Sequence, residues 1–278
     1  MKWQARSKIQ PSPLKIQNSC NFRLSNVVDW YGMILGPEQI TDGGPWYAET
    51  HVTDALIVEP WNAISSLAIA APAVYFLWKI RKQPKDYSFL LAAIPFLFLN
   101  GLGSTLFHGL RTSRWLLYMD FIPAMILTLL ITIYFWSKVL PKKWMSFVLV
   151  VPVFLMRFTA LNLIGGQSGL NVSYAISGLA FLVPIFLILR KNNWEKTYSI
   201  VLGSVCFVLA IYFRQADHYY TSIIPIGTHF LWHIFSGIGA YFLANYLYFI
   251  RTKELKKKHL KVDWSGVPKT YFFIGGFI

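Results

Sequence analysis

Acidic residues are scarce in this chain. Twelve Asp and Glu stand against 26 Lys and Arg, and charged residues of both signs make up only 14% of the 278 positions. Set beside 55% apolar and 17% aromatic residues, so few charges exclude a disordered chain and argue against an ordinary soluble domain. Cysteine is nearly absent: Cys20 lies in a polar stretch and Cys206 in an apolar one, which argues against a disulfide framework. The first 35 residues lack the compact apolar core and small-residue cleavage site of a secretory signal. Met33 offers an internal start that would make the preceding residues an extension. No internal repeat is evident. The net charge of +14 would suit a nucleic-acid binder, but the Lys and Arg residues bracket apolar runs as membrane anchors do. No nucleic-acid partner is therefore expected.

What the chain has instead is long apolar runs. Seven segments read as membrane helices: 56–78, 87–109, 115–137, 144–161, 172–189, 197–214 and 224–250. Each is near the roughly 20 residues that cross a bilayer, although the fourth and sixth are short and carry Arg157 and Arg214. The expected fold class is an all-α membrane protein, a seven-transmembrane-helix bundle over 56–250. An extramembrane amino-terminal segment, 1–55, precedes it, acidic and turn-rich from 36 onward. A basic tail, 251–278, follows, and its Tyr271-Phe272-Phe273-Ile274 run suits the membrane interface.

Orientation follows from the loop cations. Lys79, Arg81, Lys82 and Lys85 follow the first helix, Lys138, Lys142 and Lys143 the third, and Arg190, Lys191 and Lys196 the fifth. A further cluster from Arg251 to Lys261 follows the seventh. The opposite loops hold only Arg111, Arg114 and Arg214. The expected topology is a multi-pass chain with its amino end outside and its carboxyl end in the cytoplasm.

Two stretches carry the chemistry: Asn100-Gly101-Leu102-Gly103-Ser104-Thr105-Leu106-Phe107-His108, and His229-Phe230-Leu231-Trp232-His233. Residues four apart share one helix face, so Ser104 and His108 project together, as do His229 and His233. The topology puts His108 and Ser104 at the outer end of helix two. It puts Asp120 about one and a half turns into helix three, His229 and His233 at the start of helix seven, and Glu59 near the start of helix one. All six therefore fall in the outer-leaflet half of the bilayer. Imidazoles and carboxylates in hydrocarbon need partners, and three His with an open position is an arrangement of catalytic zinc. The plainer readings are that each His is a helix–helix hydrogen-bonding group, that Ser104 lets helices approach closely beside Gly101 and Gly103, and that Glu59 is a structural carboxylate ahead of Pro60. Asp217 and His218 read as solvated residues of the outer loop after helix six, the alternative being that they shape the entrance to the site, and His51 and His259 read as surface residues.

At Glu59-Pro60-Trp61-Asn62, Gly101-Leu102-Gly103-Ser104 through His108, Asp120, and His229 through His233, the chain resembles the alkaline ceramidase family. That family belongs to the CREST superfamily of seven-helix membrane hydrolases. The resemblance covers roughly residues 45–250. It implies a zinc held by His108, His229 and His233, with Ser104 and Asp120 as catalytic residues beside the water that the zinc activates. The implied reaction is hydrolysis of a ceramide-like membrane lipid to a sphingoid base and a fatty acid. Animal members also resemble one another in a calcium-binding motif, Asp-Trp-Cys-Glu-Glu-Asn followed by a Glu in the first helix. Here the matching run is Pro45-Trp46-Tyr47-Ala48-Glu49-Thr50 and then Glu59. Pro45, Ala48 and Thr50 replace oxygen ligands, which argues against calcium and leaves Glu59 as a residual calcium-site or structural carboxylate. The compact loops are compatible with a bacterial inner-membrane protein. The rival readings are a seven-helix receptor or sensor with a structural metal, and a hydrolase of another N-acyl or ester lipid.

Overall fold

The computed structural model describes residues 42–50 and 57–265. Cys20, Met33, His51 and the 271–274 aromatic run lie outside the described residues, and so does most of the 1–55 segment. Among the described residues the regular structure is entirely helical. Helix α1 spans Pro60–Ile80. A single 3-10 turn, Pro84–Tyr87, leads into α2, Ser88–Leu110. Helix α3 spans Arg114–Val139 and α4 Trp144–Ile164. Helix α5 spans Gly166–Lys191, α6 Thr197–Gln215 and α7 His229–Ser265.

The first six helices are long and apolar enough to cross a membrane. The seventh is longer, but His229, His233 and Asn245 and the tyrosines among them dilute its apolar face, and its last turns are basic. Two other departures from the sequence reading have local causes. Helix α5 starts at Gly166 rather than near 172, because Gly165 and Gly166 take positive φ (72° and 54°) and turn the chain sharply out of α4. Helix α7 starts at His229 rather than near 224, because Asp217 accepts the Thr228 and His229 backbone N–H groups there. It then continues through the basic run instead of stopping near 250. His259 falls in that continuation, where its side chain is not described.

Helix α1 packs against α2 and α7, α2 against α3, and α6 against α7. Helices α4 and α5 pair with each other and lean on α3. One apolar cluster joins Ile131 and Phe135 of α3 to Ile185, Ile188 and Leu189 of α5 and to Tyr246, Leu247 and Ile250 of α7. A second joins Ala73, Phe76 and Ile80 of α1 to Leu90 and Ile94 of α2. Outside these clusters large apolar side chains face outward. On α4 alone Trp144, Phe147, Val148, Leu155 and Leu163 are more than half exposed. An apolar exterior on this scale belongs against lipid rather than water. Each helix from α1 to α5 also contains an internal proline, which membrane helices tolerate when neighbours satisfy the freed carbonyls.

Backbone contact between helices is closest near the histidine-bearing ends. A Cβ built on Gly101 would lie 2.5 Å from the Ala70 nitrogen, one on Gly237 would lie 2.1 Å from the Ala68 oxygen, and one on Gly103 would lie 2.3 Å from the Met119 carbonyl. At each of these three positions a side chain would require the neighbouring helix backbone to shift. They draw α1, α2, α3 and α7 together where the polar side chains sit.

Candidate metal centre

Helix α2 carries His108 in its last turn and stops three residues later at Arg111, whose backbone is left-handed (φ 49°). The open carbonyls of that end are used by the incoming chain: Val58 N–H donates to Gly109 O at 2.9 Å and Glu59 N–H to His108 O at 3.1 Å. Glu59 is thereby tied to His108 through the backbone before any side chain is considered. At the other wall, Asp217 fixes the start of α7. Its Oδ1 accepts from Thr228 N at 2.8 Å and His229 N at 2.9 Å, and its Oδ2 accepts from Ala48 N at 2.8 Å. A carboxylate at a helix N-terminus satisfies open N–H groups and complements the helix dipole. Asp217 is 4% exposed, so it is not the solvated loop residue its sequence position suggested; it sets where His229 begins the helix. His218 beside it is exposed and faces the Trp46 carbonyl.

The three histidines meet at the junction of α2 and α7. Their ring centroids lie 5.2 Å (His108–His229), 4.9 Å (His108–His233) and 4.7 Å (His229–His233) apart. One ligand nitrogen from each falls within 4.8 Å of the others, and all three side chains are buried. His108 Nδ1 is bonded to Glu59 Oε2 at 2.5 Å, which leaves Nε2 as its free nitrogen. His233 Nδ1 is bonded to Ser65 Oγ at 2.9 Å and Ser66 Oγ at 3.3 Å. His108 Nε2 and His229 Nδ1 are buried and have no hydrogen-bond partner. Buried imidazole nitrogens are rarely left unpaired. Two unpaired nitrogens inside a three-His cluster fit a metal ion, and a carboxylate on the far nitrogen of a ligand His is the usual support of such a centre. Among the described residues no carboxylate or thiolate joins the cluster, so the donor set is three imidazoles, one short of a closed four-ligand site.

Behind His108 lies an acidic nest. Glu59 Oε1 accepts from Thr50 Oγ1 at 2.7 Å and from Arg111 Nη1, and its Oε2 also takes Asn62 Nδ2 at 3.3 Å. Arg111 extends further, to Asp42 through Nε at 2.6 Å and Nη2 at 3.2 Å, and to Pro45 O at 3.0 Å. Glu49 accepts from Trp61 N at 2.6 Å and Asn62 N at 2.8 Å, supplying α1 with the cap that its own first residues do not. Burial raises the Glu49 carboxyl, and the two backbone N–H groups only partly offset it. Tyr47 lies across the histidines, its ring 4.0 Å from His229 and 5.0 Å from His108, and burial pushes its phenol up. Both Glu59 oxygens and both Glu49 oxygens are taken by protein donors, and a guanidinium occupies the space among Asp42, Pro45 O and Glu59, so the residues present do not fit a calcium ion.

Ser104 and Asp120 stand on the α2–α3 side. Ser104 Oγ accepts from Ser66 Oγ at 3.0 Å, and Ser66 also reaches His233. Ser104 follows Gly103 on α2, and Gly103 meets the Met119–Asp120 backbone of α3, so the two residues stand on facing helices at the same level. Asn100 Nδ2 holds Asp120 from the other side through its backbone oxygen at 2.5 Å and Oδ1 at 3.3 Å. Asp120 is partly exposed, unlike the fully enclosed Glu59. All six residues singled out in the sequence are therefore at one end of the bundle.

Sequence reasoning missed Arg111, Asp42, Asp217, Tyr47, Ser65 and Ser66. The signal for the acids was their scarcity, since a chain with 12 acids places few of them idly. A cavity of about 300 Å³ at the opposite end, lined in part by Tyr134, Lys138, Lys143 and Arg251, is remote from the histidines. Residues 45–271 match the family model described as Ceramidase. No curated protein matches the chain.

Proposed function

The chain belongs to the ceramidase family, hydrolases of the amide bond of ceramide, and from that premise we propose a zinc-dependent membrane amidase with its centre at His108, His229 and His233. The observation that carries the reading is the cluster itself: three buried imidazoles with ligand atoms within 4.8 Å of one another, and Ser104 and Asp120 alongside. When bound, zinc supplies a water acidic enough to attack at neutral pH and an electrophile for the amide carbonyl. The chain's own groups then do the rest. Asp120 accepts the proton of the attacking water and delivers it to the departing amine as the C–N bond breaks, giving a sphingoid base and a free fatty acid. Ser104 donates a hydrogen bond to the oxyanion that forms at the carbonyl. Glu59 holds His108 through Nδ1, and the Ser65 and Ser66 hydroxyls hold His233, so that each ring keeps one nitrogen directed inward. A set of three His without a fourth protein ligand among the described residues supports catalysis over a closed structural site, which is the point against a metal-stabilised receptor.

The same reading makes α7 a seventh crossing and residues 56–250 the membrane unit. It places the amino end outside and the cation-rich loops in the cytoplasm, as in a bacterial inner membrane. The site then lies in the outer leaflet, and a ceramide reaches it sideways between helices that hold its two apolar chains. No calcium is required. The test is a mass-spectrometric screen of purified protein against ceramides, other N-acyl lipids and lipid esters. Stoichiometric release of sphingoid base and fatty acid from ceramide supports the assignment. Cleavage confined to esters or to other N-acyl lipids replaces it with that substrate.

A further inference from the structure

Hydrolysis as described needs a metal, a base and an oxyanion donor, and none of these is Arg111. Yet Arg111 is buried, 6% exposed, and its donors are nearly all engaged. Nε and Nη2 chelate the Asp42 carboxylate, Nη2 also reaches Pro45 O, and Nη1 bonds Glu59 Oε1. The rings of Phe107 and Tyr47 flank the guanidinium, with centroids 4.7 Å and 5.5 Å from its central carbon. The backbone that delivers it is left-handed, a conformation that a residue with a Cβ adopts at a cost. Buried ion networks of this kind are weak sources of stability, since apolar replacements of similar volume are often neutral or better. What the network does achieve is geometric. Among the described residues Glu59 is the only side chain bonded to Nδ1 of His108, and Arg111 holds its other oxygen.

We propose that Arg111 is a positioning residue of the metal centre: a built-in cation that clamps Glu59 onto Nδ1 of His108 and links the 42–50 segment to metal affinity. This rests on the metal centre proposed above. The guanidinium does here what a separate ion would have to do. Asp42, Glu59 Oε1 and the Pro45 carbonyl close around one positive charge supplied by the chain. Those groups are all oxygen donors. Cutting the side chain back leaves a hard-oxygen nest, which is the ligand type calcium takes. Truncation at Arg111 is therefore expected to convert a calcium-indifferent protein into a calcium-responsive one.

The test is zinc affinity of the purified full-length protein, measured by competition against a chelator, with and without added calcium or guanidinium. The variants are Arg111→Ala, Glu59→Gln and the double substitution. Loss of an outer partner of a metal ligand typically weakens the metal by about 10- to 100-fold. Each single variant should show a loss of that size. The double variant should be little worse than either single one, because both substitutions break one chain of contacts. Calcium or guanidinium should recover affinity in Arg111→Ala and leave wild type and Glu59→Gln unchanged. If Arg111→Ala does not fold, Arg111→Gln, which keeps part of the side chain's donors, carries the same comparison. Unchanged zinc affinity in a folded Arg111 variant overturns the inference. So do losses that add in full, or a loss that neither cation relieves. A wild-type protein that binds no zinc contradicts the metal centre instead, so the two failures are distinguishable.

Discussion

Gly103 touches the backbone of Met119: a Cβ on Gly103 would lie 2.3 Å from the Met119 carbonyl carbon and oxygen and 2.8 Å from the Asp120 nitrogen. The next residue along each helix is a proposed catalytic group, Ser104 on α2 and Asp120 on α3. The missing side chain is thus what lets those two groups stand side by side. Gly103→Ala should push α3 away from α2 and cost about 1–3 kcal/mol of stability, the usual range for overpacking. Turnover should fall while zinc content stays near wild type, because the three histidines come from α2 and α7 and not from α3. Thermal unfolding together with zinc content and cleavage rate on the same preparation checks this. Wild-type turnover in the variant would show that α2–α3 spacing does not position Asp120.

Asp120 and Ser104 are separable by substitution. Asp120→Asn preserves shape and removes the base, so it should retain zinc and lose nearly all single-turnover cleavage. Ser104→Ala should also retain zinc and lose about 100- to 1000-fold in turnover, the usual loss for one oxyanion donor. Its substrate affinity should change less, because that bond strengthens in the transition state. An Asp120 that merely orients a histidine would instead show weakened zinc, and a Ser104 that merely packs would show near-normal rates. Normal cleavage by zinc-loaded Asp120→Asn rules out the assigned base.

The orientation rests on the cation bias of the loops. A reporter fused after Lys258 should read as cytoplasmic, and one inserted near Gly166, at the turn between α4 and α5, should read as external. The reverse pattern moves the whole centre to the inner leaflet and with it the face from which lipid arrives.

Much of this arrangement was legible from apolar run length and helix parity. An even number of crossings from the end of α2 to the start of α7 returns the chain to the same side, which is why the sequence alone puts His108, His229 and His233 at one end. Four-residue spacing then put His229 with His233 on one face. What could not be read was the folding of the 42–50 segment over that end. Turn-rich sequence has no periodicity to report its partners. The bond from Ala48 N to Asp217 spans 169 residues, and nothing local to either residue announces it. Arg111 was counted as a loop cation because topology rules use charge without asking where the side chain goes. Its left-handed backbone and its pairing with Asp42 and Glu59 are tertiary facts. Five of the 12 acids, Asp42, Glu49, Glu59, Asp120 and Asp217, gather around this centre. In so acid-poor a chain, that concentration is the trace in sequence that would have found them.

The central claim is that hydrolysis requires a metal held by His108, His229 and His233. The direct measurement strips purified protein with a chelator, returns zinc in steps, and follows bound zinc and ceramide cleavage on the same samples, with His108→Ala, His229→Ala and His233→Ala in parallel. Cleavage should vanish in the stripped protein, return in proportion to bound zinc up to about one ion per chain, and stay absent in all three variants together with the zinc. Full cleavage by metal-free protein, or full zinc occupancy in the three variants, would contradict the account.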